Sequence, residues 1–405
     1  MQKSKYLIFL SYLFLLIAFY FDADPNGGAS VDYNYHKFII EDFSKDFLGT
    51  FFNYDKYNTR HSPVNLMFLS LFVKFEVQDY LLRFLFLHIC LLLPLFFYKC
   101  LVLKYKSIKK EYLIFFACLI IFSPSFLSLA FWADSRIFGL LLFCLSIFYF
   151  LRFKEDKNFF TAIKVIISYA VASYMSPNFS LFALYYFYFF VKEFRFSKKI
   201  ILIVLLNFIL AFPAILYMLS LDTIFLIVSA VPNDLIYREP AYFNISNKLL
   251  IISSIIFFYC FPFIVTNSIK VKIIDYKNLI LSFIILVITS FYFDYNYDYT
   301  GGGIFFKASY FLTNSNYLFF IICFFSILFL LNVIKISKEN LIIIFLLILS
   351  NPQYTIYHKY YDPFILILFL LLFKINFNNQ HLFNFKTIFI FYLHTSLFLI
   401  LNFIK

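Results

Sequence analysis

Long apolar runs, each near the length of a membrane-crossing helix, alternate with short polar breaks along most of this 405-residue chain. A crossing needs roughly 20 apolar residues, each rising about 1.5 Å, to cover about 30 Å of hydrocarbon. By that measure thirteen candidates stand out, at residues 5–21, 82–103, 112–131, 137–151, 160–176, 178–191, 200–219, 249–268, 279–293, 316–334, 341–351, 363–376 and 387–404. The pattern predicts an all-α polytopic membrane protein, one domain over 1–405, with about 11 to 13 transmembrane helices, the shorter runs being ambiguous. Two stretches break the rhythm. Residues 21–62 form a 42-residue polar loop carrying Asp22, Asp24, Asp32, Glu41, Asp42, Asp46 and Asp55. The apolar run from Pro63 to Phe75 is only 13 residues long, and we read residues 63–78 as a helix at the outer interface that leads into the next crossing.

Composition agrees with that reading. With 63% hydrophobic residues, 14% charged and a mean hydropathy of +0.85, the chain is too apolar for a water-soluble core. Its 65 Phe and 33 Tyr against 7 Gly suit lipid-facing positions, so aromatic clusters by themselves carry little functional weight. A net charge of +12 suggests nucleic acid in a soluble protein, but here it divides by side of the membrane. With the N terminus (Lys3, Lys5) cytoplasmic, the alternate breaks 104–110, 152–157, 192–199, 270–277, 335–339 and 374–386 together with that terminus hold 20 of the 34 Lys and Arg. The positive-inside rule then puts the acidic first loop outside, in the orientation of a bacterial inner (plasma) membrane protein, and no nucleic-acid partner is expected. Phe21-Asp22-Ala23-Asp24 lacks a small-x-small cleavage site, so the first run reads as a retained span. The six cysteines fall in or beside apolar runs without a CxxC pair and read as buried small hydrophobes. No Walker A, GxGxxG, HExxH or GxSxG motif is present, which argues against ATP-driven transport and the common hydrolase layouts.

The polar chemistry is therefore sought in the outer loops. Asp32 and His36 are four residues apart and would share a helical face, either as a surface hydrogen bond, as an oriented base, or as two ligands of a divalent metal. Arg60 and His61 precede Pro63, which fits the first turn of a helix whose free N–H groups favour anions. Asp134 and Arg136 flank the start of a span beside Trp132, an interfacial anchor or a cavity-facing pair. Gly301 to Gly303 with Lys307 make a flexible turn or a backbone nest for phosphate, and His358-Lys359 stand among tyrosines that form an aromatic belt or a sugar-stacking surface.

The order of a first span, a long acidic loop, Arg60-His61-Ser62-Pro63-Val64 and then Trp132-Ala133-Asp134-Ser135-Arg136-Ile137-Phe138 resembles the GT-C superfamily of membrane glycosyltransferases. Within it, the protein O-mannosyltransferase and aminoarabinose-transferase type is the nearest in pattern, over about the first 180 residues. The resemblance implies a catalytic Asp in the first outer loop, where Asp32 stands, with Asp22 and Asp24 as alternatives. It also implies a closing helix at His61-Ser62-Pro63-Val64 and a later motif at Asp134-Ser135-Arg136. The chain departs from the family in having Asp32-Tyr33 for Asp-Glu and Ser62 for a second Pro.

The expected activity is transfer of a sugar from a polyprenyl-phosphate donor to a glycan, lipid or protein hydroxyl at the outer face. Asp32 would be the catalytic base. His36, Arg60, His61, Asp134, Arg136, Lys307, His358 and Lys359 would bind substrate. No cofactor is required by this scheme, although a divalent metal is compatible with it. Two rivals remain. A lipid-glycan flippase or O-antigen polymerase-like protein would also be polytopic, but should carry several ionisable groups at mid-helix along a path, and only His88, Lys99, Lys164 and His394 sit in or near the runs. A scaffolding membrane protein would have no cavity.

Overall fold

The computed structural model describes residues 2–57, 59, 61–221, 244–266, 275–298, 301–334, 337–353, 355–375 and 382–404. Those residues are predominantly helical, with no strand among them beyond a single bridge between Ile334 and Ile375. The chain divides into two compact units, one of Met1–Lys106, Leu113–Pro240 and Phe398–Lys405, the other of Ser107–Tyr112 and Ala241–Leu397.

In the first unit, α1 (Gln2–Tyr20) leads into α2 (Ala29–Lys45), α3 (Phe47–Phe52) and α4 (Pro63–Lys74). The long helices follow: α5 (Asp79–Cys90) continued by α6 (Leu92–Lys104), α7 (Lys110–Cys118), α8 (Pro124–Phe131), α9 (Ser135–Asp156), α10 (Phe159–Met175), α11 (Ala183–Phe194) and α12 (Lys198–Ser220). The core is the pair α9 and α10, where Phe143, Ile147 and Phe150 of α9 and Val165, Ile166 and Ala172 of α10 are fully enclosed. Close approach is possible because the contacts are small: a Cβ on Gly139 would lie 2.8 Å from the Ser176 Cβ. The buried hydroxyls of Ser146 and Tyr186 satisfy each other at 2.7 Å. In the second unit α13 (Ile245–Val265), α14 (Tyr276–Phe291), α15 (Gly303–Thr313) and α16 (Tyr317–Val333) pack together, with α17 (Lys338–Leu349) and α18 (Phe364–Leu371) against α13, and α19 (Phe385–Ile404) last.

Five of these segments, Asp79–Lys104, Ser135–Asp156, Lys198–Ser220, Ile245–Val265 and Phe385–Phe403, are long and apolar enough to cross a bilayer. The run read as one crossing at 112–131 is instead broken: Lys110–Phe122 and Pro124–Phe131 meet at 62°, and counting them together gives six. The cause is local. Pro124 cannot donate to the preceding turn, and the Ser123 hydroxyl accepts the Phe126 N–H at 3.0 Å, so a new helix is capped at that point. Shorter apolar helices occupy Ser4–Tyr20, Pro63–Lys74, Phe159–Met175, Tyr276–Phe291 and Tyr317–Val333. All six cysteines are buried and unbridged.

The 42-residue stretch read as a loop is largely helical. Its acids hide a stripe, since Tyr33, Ile40 and Phe43 recur at helical spacing on α2 and are buried with Ile39.

Candidate functional site

The chain leaves α1 through Asp22 in a left-handed conformation and turns into α2 at Gly28, whose φ of +83° suits glycine. Polar contacts fix this turn. The Asp24 carboxylate accepts the Ser30 N–H at 3.0 Å and the Ser30 hydroxyl at 2.9 Å, while Asn26 donates to the Ser128 and Ser125 hydroxyls of α8 at 2.9 and 2.8 Å. Asp32 lies in the first turn of α2, where the helix dipole favours a carboxylate, and His36 follows one turn later.

The His36 ring meets the His61 ring edge-on at 4.5 Å. His61 is held by its backbone, which donates to the Thr59 hydroxyl at 3.2 Å and accepts from the Tyr54 hydroxyl at 3.0 Å. Burial pushes the Tyr54 phenol well above its ordinary range, so it stays a donor. As expected, α4 begins at Pro63, with the Ser62 hydroxyl as its cap at 3.4 Å from the Val64 N–H. The His61 Nδ1 then lies 3.3 Å from the Ser135 hydroxyl. Ser135 opens α9 between Asp134 and Arg136, after Ala133 in the left-handed region; Asn65 of α4 donates to the Ala133 carbonyl at 3.1 Å, and the Asp134 carboxylate caps the helix by accepting the Arg136 N–H at 2.7 Å. Residues from α2, the segment before α4 and the start of α9 thus meet through the chain His36, His61, Ser135. Beside it, the Trp132 indole N–H and the Asn65 Oδ1 are buried with no hydrogen-bonding partner.

A second cluster, centred on Arg83 of α5, was not anticipated. Its side chain is only 7% exposed, lies 2.9 Å from the Asp22 carboxylate and 3.4 Å from that of Asp79, and rests on the Trp132 ring at 4.3 Å. The Tyr33 hydroxyl donates to Asp79 at 2.6 Å, and Lys37 stands 3.8 Å from the same carboxylate. Burial, reinforced by that acceptor, raises the Tyr33 phenol far above its usual value and keeps it protonated. The signal was present in the sequence: Asp79 and Arg83 are four apart in an apolar run, and a charge in such a run seeks a partner. Of the other two acids of this stretch offered for the base, Asp22 pairs with Arg83 and Asp24 closes the turn onto Ser30.

Lys307, His358 and Lys359 belong to the second unit. Lys307 on α15 donates to the Tyr297 carbonyl and sits 4.4 Å from the Tyr297 ring centroid. The His358 Nε2 lies 3.2 Å from the Tyr259 hydroxyl, and Lys359 stands 5.5 Å from the Tyr357 ring centroid. The glycine run is a site of close backbone contact: the Gly302 N–H donates to the Ile356 carbonyl at 2.9 Å, so that donor is already taken. Arg60 falls outside the described residues. Among the described residues no three His, Cys, Asp or Glu side chains are grouped to hold a metal ion. The chain matches no family model, no curated protein and no solved structure.

Proposed function

We propose that this is a membrane glycosyltransferase of GT-C type, with 11 to 13 crossings once the shorter apolar helices are included, an N terminus in the cytoplasm and the α2–α9 cluster at the outer face of a bacterial inner membrane. The observation that carries the reading is the chain from His36 to His61 to Ser135, because it brings the helix bearing Asp32 to the turn bearing Asp134 and Arg136.

Inverting transfer from a polyprenyl-phosphate sugar needs a base for the acceptor hydroxyl and cations for the departing phosphate. Asp32 takes the acceptor proton as its oxygen attacks the anomeric carbon and the bond from that carbon to the phosphate oxygen breaks. His36 and His61 order the space between base and leaving group. Arg136 and Arg60 meet the charge that grows on the lipid phosphate, for which a guanidinium's planar donors are well shaped. Asp134 contributes by capping α9, which sets where Arg136 starts. Lys307, turned to the Tyr297 carbonyl, is not assigned to the phosphate.

The test is Asp32→Asn in proteoliposomes supplied with polyprenyl-phosphate sugars and a hydroxyl acceptor. Loss of a base removes about 10²- to 10⁴-fold in rate. Transfer kept within a few-fold of the parent, at equal incorporation, removes Asp32 from the mechanism.

A further inference from the structure

We infer that the apolar edge of α3 is inserted in the lipid interface of the bilayer beside α12, so that the first polar stretch is a membrane-seated platform. The inference does not depend on the reaction proposed above.

In a six-residue helix turning 3.6 residues per turn, Phe47, Leu48, Phe51 and Phe52 fall within an arc of roughly 140°, with Gly49 and Thr50 opposite. Thr50 is buried, and Gly49 and Thr50 border a cleft of about 490 Å³ that Asp42, Asp46, Asn53 and Tyr57 also line. The other edge is bare: Leu48 is 64% exposed and Phe52 63%. Bare leucine and phenylalanine in so acidic a stretch call for a cover.

Continuity with α12 identifies it. The Phe51 ring stacks on Tyr217 at 4.3 Å, and the Tyr217 hydroxyl donates to the Phe51 carbonyl at 2.7 Å. Tyr217 is three residues from the end of a 23-residue apolar helix, and only 11% of the residues in its 18-residue apolar window are buried in the protein. The exposed side chains of Phe208, Phe212, Leu216 and Leu219 suit lipid, and a helix of that length, at about 1.5 Å per residue, spans the roughly 30 Å of hydrocarbon. A tyrosine at its end stands at the depth where tyrosines gather. Leu48 and Phe52 flank the residue bonded to it, so the lipid surface of α12 runs on into α3.

Because the native cysteines are buried, single nitroxide labels can be placed by Leu48→Cys, Phe52→Cys, Lys56→Cys and Leu219→Cys in the full chain, reconstituted in phosphatidylcholine vesicles. Collision with oxygen, which partitions into lipid, is compared with collision with a water-soluble nickel chelate. The expected result is oxygen-dominated relaxation at positions 48 and 52, as at 219, and chelate-dominated relaxation at 56. Chelate dominance at both 48 and 52 overturns the inference. So does shielding from both agents with spin–spin broadening, which would assign the edge to a second copy of the chain. Two positions on one edge guard against a single variant that fails to fold.

Discussion

Replacing Arg83 with Met tests whether the buried ion cluster, rather than apolar packing alone, holds α2 in place. Methionine keeps most of the aliphatic volume, so the change removes charge and directed hydrogen bonds with little cavity. A hydrogen bond between charged groups contributes about 1.5 to 3 kcal/mol, and a cation over an aromatic face about 1. The first figure must be discounted, because the carboxylates left behind, Asp22 at 53% and Asp79 at 39% side-chain exposure, regain water. The net expectation is about 2 to 3 kcal/mol, equivalent to roughly 30- to 150-fold in an opening equilibrium. Asp22→Asn deletes only the more exposed partner, for about 1 kcal/mol or less.

The assay is amide hydrogen exchange in nanodiscs, read separately for α2 and for the α9–α10 core. Arg83→Met should speed exchange over Tyr33–Phe43 by the stated factor and leave α10 unchanged, because Tyr33 is tied to the cluster through Asp79 whereas α10 packs on α9. Asp22→Asn should change α2 less than about tenfold. Unaltered α2 exchange in Arg83→Met would refute the reasoning, and equal effects of the two variants would refute the ranking built on exposure.

Gly301→Ala should lower the thermal midpoint of the purified protein by the equivalent of about 3 kcal/mol, since its φ is +94° and a Cβ would lie 2.6 Å from the Ile356 carbonyl oxygen. Gly27→Ala, at φ +71° with nothing within 4 Å, should cost about 1 kcal/mol, and equal shifts would count against the close contact. Glu339, at the first turn of α17, has its carboxyl held down to about 2 by the hydrogen-bonded Lys374 ammonium at 2.8 Å. Its folded value is therefore below the unfolded one near 4.5, so its contribution is present above about pH 4.5 and is lost as the pH falls toward 2. Glu339→Gln should accordingly be less stable than the parent at pH 7 and converge on it in acid; a gap independent of pH would discount the ion pair.

The helices were legible where one period ruled. The apolar runs at 137–151, 200–219 and 249–268 became α9, α12 and α13, because a chain in lipid must satisfy its backbone internally. The start of α4 at Pro63 follows from proline's fit to a first helical turn, and Pro124 carries the same signal inside a run apolar enough to look continuous. On α2 the stripe that makes it a helix is short and interleaved with Asp32, Glu41 and Asp42, in a stretch whose seven acids dominate the pattern. Around the candidate site, spacing alone related Asp32 to His36 and Asp134 to Arg136, since each pair is local. The meeting of His36, His61 and Ser135 joins residues up to 99 apart and is a product of packing between helices, to which single-sequence periodicity is blind. Arg83 escaped for a related reason: its partner Asp22 is 61 residues away, and only Asp79 was near enough to notice.

The long-range polar contacts of the first unit share a purpose that bears on what kind of device this is. Asn26 to Ser125 and Ser128, Tyr33 to Asp79, Arg83 to Asp22, His61 to Ser135 and Asn65 to Ala133 all tie the stretch between α1 and α5 to the end of a neighbouring helix. A gate for a moving cargo needs an element whose contacts break cheaply, and such elements come from the least stable parts of a fold. Here the cross-links include a charge-assisted pair, a buried amide and two serine hydroxyls of α8; one of them, Tyr33 to Asp79, is made by the helix carrying Asp32, and those of Asp22 and Asn26 fix the turn that leads into it. Under the proposed reading, ordering that helix before substrate arrives would spare the reaction the reorganisation that a mobile base requires, and preorganised charge is where enzymes find most of their rate. The cross-linked stretch is thus built as a fixed platform, which is what the proposed transferase needs and a transport gate does not.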